Sequence, residues 1–227
     1  MILAYHRINP WYRDDALTVS PAVLERQMAF LVAKGYRHVP LDYYLKPAAG
    51  VDRGNVFTVT FDDGYADNYS FAAPVLRKYD IRPVIFLAVG YIGTPELLPR
   101  YRDGEKDRFL NWDEVAELSS QGVVFGSHGL THPRLTRISE EVARNEIGNS
   151  RKIIGEKLDR EVRFFCYPFG DWNDRIAALV EEAGYGAAVV TARHRRIHTP
   201  YRLPRIGIYG HNNFPVFRLK TGLWRYS

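Results

Sequence analysis

Short apolar runs of strand length alternate along this chain with segments of helical periodicity. Six of these runs are typical of β-strands, at residues 2–5, 56–61, 83–89, 123–126, 162–167 and 186–191. Strands that are separated by helices run parallel in one sheet. Six or seven such strand–helix units, with no repeat or low-complexity tract dividing them, favour an α/β fold whose sheet closes, or nearly closes, into a barrel.

Three helices are located by the residues that begin and end them. Ser20, followed by proline, is typical of a helix start, and the apolar stripe after it ends at Gly35. Ser139, followed by two glutamates, starts the longest helix. A third helix is predicted at residues 174–183, just before a glycine. The polar stretch at 93–108, broken by proline and glycine, predicts a long surface loop.

Composition excludes several classes of protein. The chain has 227 residues, 46% of them hydrophobic and 25% charged, so it can bury a core and is not a disordered chain. We expect a single domain over residues 1–227. The balance of 31 Lys and Arg against 26 Asp and Glu gives a net charge of +5, but the basic residues are spread out and their densest cluster, at 193–196, is short. We therefore predict no nucleic-acid partner, and the sequence identifies no protein partner.

The sequence also limits the membrane and redox context. No apolar run reaches about 18 residues, so we expect no transmembrane segment. The apolar start at 1–6 is too short for a signal peptide, which predicts a cytoplasmic chain as given and an extracytoplasmic one if a leader has been removed. The single cysteine, Cys166, excludes an internal disulfide, and we expect it to be a buried strand residue and not a nucleophile.

Two adjacent carboxylates follow the strand predicted at 56–61. Asp62 and Asp63 stand where this apolar run gives way to a loop, and neighbouring carboxylates repel each other unless a cation or a proton separates them. Catalytic residues of barrel enzymes lie at such carboxyl ends of strands. The alternative role is a helix cap or a turn, as for Asp14 and Asp15 in their polar run. We interpret Asp62 and Asp63 as functional.

Two histidines four residues apart follow the strand predicted at 123–126. In a tight loop or one helical turn, this spacing brings the imidazoles of His128 and His132 together, although such a pair alone is weak evidence for a metal site. With a carboxylate from another strand end, the pair forms a set that binds zinc or another divalent ion and leaves positions for water and substrate. One of Asp62 and Asp63 would complete that set, and the other would take a proton from the water. Hydrolysis is the predicted reaction.

A turn set by proline and glycine follows the strand predicted at 162–167. Its sequence, YPFG at 167–170, is typical of turns that expose backbone N–H groups, and these could hold an oxyanion. An ordinary strand-to-helix turn is the alternative.

Three motifs, in this order and spacing, resemble those of the polysaccharide deacetylase family, also described as the NodB homology domain or carbohydrate esterase family 4. They are TFDDG at 60–64, SHGLTHP at 127–133 and YPFG at 167–170. The resemblance implies a distorted (β/α) barrel of seven or eight units and the metal-dependent removal of acetyl groups from sugars.

The resemblance also implies roles for single residues. Asp62 would be the catalytic base. The metal ligands would be Asp63, His128 and His132. The backbone N–H of Phe169 would be an oxyanion donor, within a substrate-binding turn made of Tyr167, Pro168, Phe169 and Gly170.

The chain departs from the family's common pattern at two places. The third motif commonly has Arg two residues before its proline, where this chain has Cys166. Many members have a late Leu-x-His motif whose His is the general acid, and none follows Gly170 here. His194, His198 and His211 lack that setting and are expected in exposed loops.

Two other segments, LAYHRI at 3–8 and YRLPRI at 201–206, resemble a circularly permuted branch known among exopolysaccharide poly-N-acetylglucosamine deacetylases. There the strand that bears the acid His opens the domain, so that His6 would be the catalytic acid, although a core histidine is the alternative from position alone. Arg205 would supply the charge that Cys166 does not and keep Asp62 ionised, or else lie on the surface.

These observations predict a metal-dependent enzyme that hydrolyses N-acetyl, ahead of O-acetyl, groups on a polysaccharide or oligosaccharide and releases acetate. An acetylated carbohydrate is then the partner. Zinc is the expected ion, with cobalt, nickel or iron as alternatives, because such a site binds each of them. Two alternatives stay open, a metal-dependent amidohydrolase acting on a non-sugar acetylamide and a catalytically idle carbohydrate-binding barrel.

Overall fold

A computed structural model of the chain describes residues 1–12, 15–45, 55–95, 106–191 and 199–223. Part of the loop predicted at 93–108, the basic cluster at 193–196, and Asp14, His194 and His198 therefore lie outside the described residues. Among the described residues, His211 is exposed, as expected, and no helix is long and apolar enough to cross a bilayer.

The described residues form ten strands and six α-helices. The strands are β1 Ile2–Tyr5, β2 Arg7–Ile8, β3 Thr18–Val19, β4 Arg37–His38, β5 Val56–Phe61, β6 Val84–Leu87, β7 Val124–Ser127, β8 Phe164–Cys166, β9 Ala187–Thr191 and β10 Leu203–Gly207. The helices are α1 Pro21–Ala33, α2 Ala73–Arg77, α3 Trp112–Ser120, α4 Glu140–Leu158, α5 Asp174–Glu182 and α6 Phe214–Leu223.

Seven parallel strands close into a barrel, which confirms the predicted fold. Their order around the ring is β1-β10-β9-β8-β7-β6-β5, and β1 closes it by pairing with β5 in the register Ile2↔Thr58 to Tyr5↔Phe61. The first strand of the chain thus lies between β5 and the last strand, β10. The short strand β4 pairs with the start of β5 outside this ring.

The barrel has a small interior core and a larger core between its strands and the surrounding helices. The interior cluster takes alternate residues of several strands, such as Val84 and Phe86 of β6 or Ala187 and Val189 of β9. Because alternate residues of a strand share one face, this cluster fills the barrel. The apolar faces of α1, α3, α4 and α5 belong to the other cluster and cover the outside of the strands.

The predicted helix boundaries agree closely with the structure. Ser20 accepts a hydrogen bond from the backbone N–H of Val23 at the start of α1, and Ser139 caps α4 in the same way. Gly184 has a φ of +84°, which ends α5 in the left-handed region that glycine favours. The pattern missed β10, because Pro204 and Arg205 interrupt its apolar run, and α3, whose capping box of Asn111 and Glu114 precedes a mostly polar helix.

Candidate active site

The carboxyl ends of the barrel strands surround a cavity of about 560 Å³. Parallel strands all end at the same rim of a barrel, which is why residues far apart in sequence meet there. The residues lining it include most of those singled out from the sequence, namely His6, Asp62, Asp63, His128, His132, Tyr167, Phe169, Gly170 and Arg205. Pro168 is the exception, since it is buried beneath the turn beside Gly129.

Three side chains in this cavity are spaced as ligands of one metal ion. Oδ1 of Asp63 lies 3.5 Å from Nε2 of His128 and 3.4 Å from Nε2 of His132, and the two Nε2 atoms are 3.3 Å apart. A four-coordinate ion with bonds of about 2.0–2.2 Å holds neighbouring donors about 3.3–3.6 Å apart. The donor set, two imidazoles and a carboxylate, fits zinc and related divalent ions.

Both histidines offer a neutral ring. The Cys166 carbonyl oxygen lies 2.7 Å from Nδ1 of His128, and since a carbonyl only accepts, Nδ1 carries the hydrogen and Nε2 keeps its lone pair. Burial, followed by the nearby His132, lowers the pKa of His128 to about 3. Burial likewise lowers the pKa of His132 to about 4. Near neutral pH, both rings can therefore bind a cation without first losing a proton.

Left-handed backbone occurs at a non-glycine residue in each of the three motifs. The φ angles are +74° at Asp63, +59° at His132 and +59° at Phe169. This conformation costs a non-glycine residue about 1 kcal/mol or more of folding free energy. It persists where the surrounding structure fixes it, often at functional sites. Here the conformation turns Asp63 and His132 toward each other.

Asp62 has different surroundings from its neighbour. Both of its oxygens accept hydrogen bonds from the Arg205 guanidinium, each at 2.7 Å, and the same guanidinium donates to Oγ1 of Thr60 at 2.9 Å. Burial raises the pKa of Asp62, but the charge and hydrogen bonds of Arg205 more than offset this and hold that pKa well below its usual range. Arg205 is only 2% exposed, so it is not a surface residue.

A second group of possible ligands combines Asp62 and His128 of the cavity with Cys166, which does not line it. Its chemistry does not suit a metal, because Arg205 already occupies both oxygens of Asp62. Burial also raises the pKa of the Cys166 thiol well above its usual value, so the thiol keeps its proton. Cys166 is a buried residue of β8, as predicted.

His6 lies on the other side of Asp62. Its Nε2 is 3.9 Å from Oδ2 of Asp62, and its Nδ1 has no hydrogen-bond partner among the described residues. Its backbone oxygen accepts a hydrogen bond of 2.9 Å from the Asn68 amide. The ring and the carboxylate thus lie side by side in the wall of the cavity.

The turn after β8 forms the rim beside the metal-ligand group. The ring of Phe169 is 57% exposed, packs 4.5 Å from the ring of His132 and lies under the Arg134 guanidinium. Tyr167 is buried, and its hydroxyl donates to the Tyr201 carbonyl, away from the cavity. The exposed part of the turn is therefore Phe169.

Sequence analysis missed several residues at this site. Leu17, Tyr65, Thr191 and Tyr209 complete the lining of the cavity. Thr60 supports Arg205, and Glu146 of α4 binds the turn that carries the two histidines. Thr60 stands two residues before Asp62, on the same face of β5, which was a usable signal, whereas nothing in the sequence distinguishes Glu146 from other helical glutamates.

A model of the polysaccharide deacetylase family matches residues 49–188, more than half of the chain. The chain belongs to this family. The matched region holds both aspartates, both histidines and the turn at 167–170, whereas His6 and Arg205 lie outside it.

Curated relatives and solved structures agree with this assignment. The Bacillus subtilis protein YxkH, whose name places it among the polysaccharide deacetylases, is 27% identical over 197 residues, which are 84% of this chain and 63% of that protein. A Staphylococcus aureus poly-β-1,6-N-acetyl-D-glucosamine N-deacetylase is 24% identical over 209 residues, 83% of this chain and 67% of the relative. This chain thus spans less than two thirds of the length of YxkH.

The fold is shared with solved deacetylase structures. Streptococcus pyogenes deacetylase PplD, solved with acetate, superposes with a TM-score of 0.81 at 22% identity, covering 97% of this chain and 96% of PplD. IcaB from Ammonifex degensii gives a TM-score of 0.79 at 20% identity, covering 100% of this chain and 97% of IcaB. At these identities the likeness concerns the fold.

Proposed function

We propose that this chain removes acetyl groups, N-acetyl ahead of O-acetyl, from an acetylated polysaccharide or oligosaccharide by metal-dependent hydrolysis. The observation that carries the proposal is the pairing, in one cavity, of a three-donor metal-ligand group with a carboxylate that Arg205 keeps ionised. The name of the Staphylococcus aureus relative supports an N-acetylglucosamine polymer as the substrate.

Asp63, His128 and His132 are the residues that hold the ion, with zinc as the first expectation. When bound, a divalent ion supplies Lewis acidity, which polarises the acetyl carbonyl and lowers the pKa of water. The protein fixes its donors in advance, since all three are largely buried and two of them lie in left-handed backbone.

Asp62 accepts the proton of the attacking water. The ion pair with Arg205 keeps Asp62 as a carboxylate throughout the neutral range and fixes the orientation of its two oxygens. The backbone N–H of Phe169 donates to the oxygen of the acetyl group as negative charge develops on it.

His6 donates a proton to the departing nitrogen. Its Nε2 lies 3.9 Å from Oδ2 of Asp62, which places the proton donor and the proton acceptor side by side at one end of the cavity, both within reach of a substrate bound there. Water is consumed, the carbon–nitrogen bond breaks, and acetate and a free amine on the sugar are the products.

Acetate release from N-acetylglucosamine oligomers tests the proposal, with zinc-loaded wild type beside Asp62→Asn and His6→Ala chains. We expect turnover by wild type and a loss of about 100-fold or more in each variant at unchanged zinc content. Asp113→Asn, which changes an exposed aspartate of α3 that does not line the cavity, is the matched control and should keep wild-type activity. A zinc-loaded wild type that is silent on these oligomers but cleaves small acetylamides would overturn the carbohydrate substrate.

A further inference from the structure

Glu146 is a buried carboxylate that the proposed mechanism does not use. It lies in α4, is only 5% exposed, and faces the loop after β7 that carries both histidine ligands. Its Oε2 accepts hydrogen bonds from the backbone N–H groups of Leu130 at 2.7 Å and Thr131 at 2.9 Å. Its Oε1 accepts a third, at 2.7 Å, from the hydroxyl of Thr131.

These bonds hold a backbone turn that pairs with no strand of the described residues on the side of Glu146. The turn reverses between Gly129 and His132, which have φ angles of +81° and +59°. On its opposite side, the carbonyls of Gly129 and Leu130 accept hydrogen bonds from the backbone of Val89 and Gly90. Glu146 supplies the acceptors on the inner side, where unsatisfied buried N–H groups would be costly.

The Glu146 carboxylate also fills the space below the turn. The φ of +81° at position 129 favours glycine, and a Cβ atom there would also make a tight contact, at 3.1 Å, with Oε2 of Glu146. Turn and carboxylate therefore fit each other closely, and a shift of one moves the other.

The two histidines depend on this turn to different degrees. His128 is also held by the Cys166 carbonyl, which binds its Nδ1 at 2.7 Å. His132 stands at the far end of the turn, and its ring packs against Phe169, a side chain that is itself mostly exposed. The His132 ring also contacts the ring of His128, at 4.7 Å between centroids, so the position of its Nε2 depends on these two ring contacts and on the backbone that Glu146 holds.

Glu146 also contributes charge to the site. Arg205 balances the charge of Asp62, whereas the partners of Glu146 among the described residues are two backbone N–H groups and a hydroxyl, not a cation. Its negative charge is hydrogen-bonded to the backbone of Thr131, the chain neighbour of His132, in a buried region where screening by solvent is weak. A divalent cation is stabilised by such a charge.

We propose that Glu146 is a positioning residue for the metal centre, which sets His132 through the turn and raises the affinity of the site for a divalent cation through its charge. This inference rests on the metal site of the proposed function. Glu146 touches neither the substrate nor the reacting atoms.

The test measures the Kd of zinc by competition with a chromophoric chelator, in wild type and in Glu146→Gln and Glu146→Ala chains. Gln keeps an acceptor for the two N–H groups and loses the charge, and we expect about a 10-fold weaker Kd. Ala loses the acceptors as well, and we expect its zinc Kd to rise about 100-fold above that of wild type. A Kd of Glu146→Gln within about twofold of wild type would overturn the inference, even if Glu146→Ala does not fold.

Two control variants in α4 distinguish a specific effect of Glu146 on zinc affinity from the effects of losing any negative charge or of destabilising the helix. Glu156→Gln removes the same charge from an exposed position, and Ile154→Ala destabilises the buried face of α4. Both should leave the zinc Kd unchanged, and a shift in Ile154→Ala equal to that in Glu146→Ala would overturn the inference. A wild-type chain that binds zinc but releases no acetate would overturn the proposed function alone, whereas one that binds no zinc would overturn both.

Discussion

Asp62 and Asp63 are chain neighbours with almost equal burial, 3% and 4% exposed, yet they belong to different halves of the cavity. Asp62 continues the pleat of β5 and points, like Thr60, into the barrel toward Arg205. Asp63 leaves that pleat through a φ of +74° and points toward His128 and His132. Adjacent carboxylates can thus take separate roles because the extended backbone that follows β5 continues through Asp62 and reverses at Asp63. Asp62 and Arg205 form the ion-pair half, which is neutral overall. Asp63, His128 and His132 form the metal-ligand half, whose donors can bind an added cation.

The largest effect should follow from breaking the metal-ligand half. Asp63→Asn removes the only anionic donor of the three, and a catalytic zinc site depends on all three protein ligands. We expect less than about one tenth of a zinc per chain after dialysis and activity at the level of the metal-free chain. Metal analysis and acetate release check this. Full zinc occupancy in this variant would show that Asp63 is not a ligand.

Breaking the ion-pair half at its carboxylate should leave metal binding intact. Asp62→Asn keeps the size of the side chain but cannot accept the proton, so we expect activity to fall by about 10²–10⁴-fold at unchanged zinc content. The zinc Kd and kcat are measured on the same preparation. Equal losses of zinc in Asp62→Asn and Asp63→Asn would remove the distinction between the halves.

Removing the cation of the ion pair should act on stability as well as on activity. Arg205→Met leaves Asp62 buried with no compensating charge, which costs about 3–5 kcal/mol in the free energy of unfolding and raises the pKa of Asp62. The double variant Asp62→Asn with Arg205→Met should recover most of that stability, as urea unfolding can measure. A single Arg205→Met variant as stable as wild type would contradict the assigned contact.

The pH dependence of the metal-free chain should reveal the metal-ligand half. The pKa values of His128 and His132 are lowered to about 3 and about 4, so between about pH 6.5 and pH 5 the unfolded chain binds the additional protons. Folding stability is then lost as the pH falls, by about 2 kcal/mol for each histidine. Asp62 is an acid and not a base, but its effect on stability has the same direction. Its lowered pKa contributes stability above about pH 3.9, and this contribution is lost at lower pH.

Urea unfolding of chelator-treated chains at pH 7 and pH 5 measures this loss. His132→Gln should show a smaller loss than wild type, because one of the two metal-ligand histidines no longer titrates. His38, at the start of the barrel, also has its pKa lowered by burial, to about 4, and His38→Gln provides the matched comparison outside the cavity. A wild-type chain equally stable at both pH values would contradict the burial of these rings.

Much of this arrangement could be predicted from the sequence, and the rest depends on contacts that leave no local pattern. Strand periodicity placed β1 and β5 at their observed residues, and the shared rim of parallel strands then brought Asp63 and His128 together. Arg205 was predicted as the partner of Asp62 only from the family resemblance. Its strand, β10, has no apolar pattern that identifies it, because a proline and the buried arginine itself interrupt the run. Glu146 was not found at all, since a helical glutamate gains its role from the turn packed above it.

The smallest effect should come from the residue that joins the two halves. The backbone oxygen of Cys166 accepts the hydrogen bond from His128, and its Sγ lies 3.1 Å from the Arg205 guanidinium that donates to it. Cys166→Ala removes only the second contact, because the backbone oxygen stays in place. We expect activity within about threefold of wild type and a loss of about 1 kcal/mol in stability, from a weak acceptor and a small cavity. A kcat lowered more than about tenfold at unchanged zinc content would contradict this expectation. It would mean that the thiol orients Arg205 and, through it, Asp62, so that the contact between guanidinium and carboxylate is not sufficient to position the base.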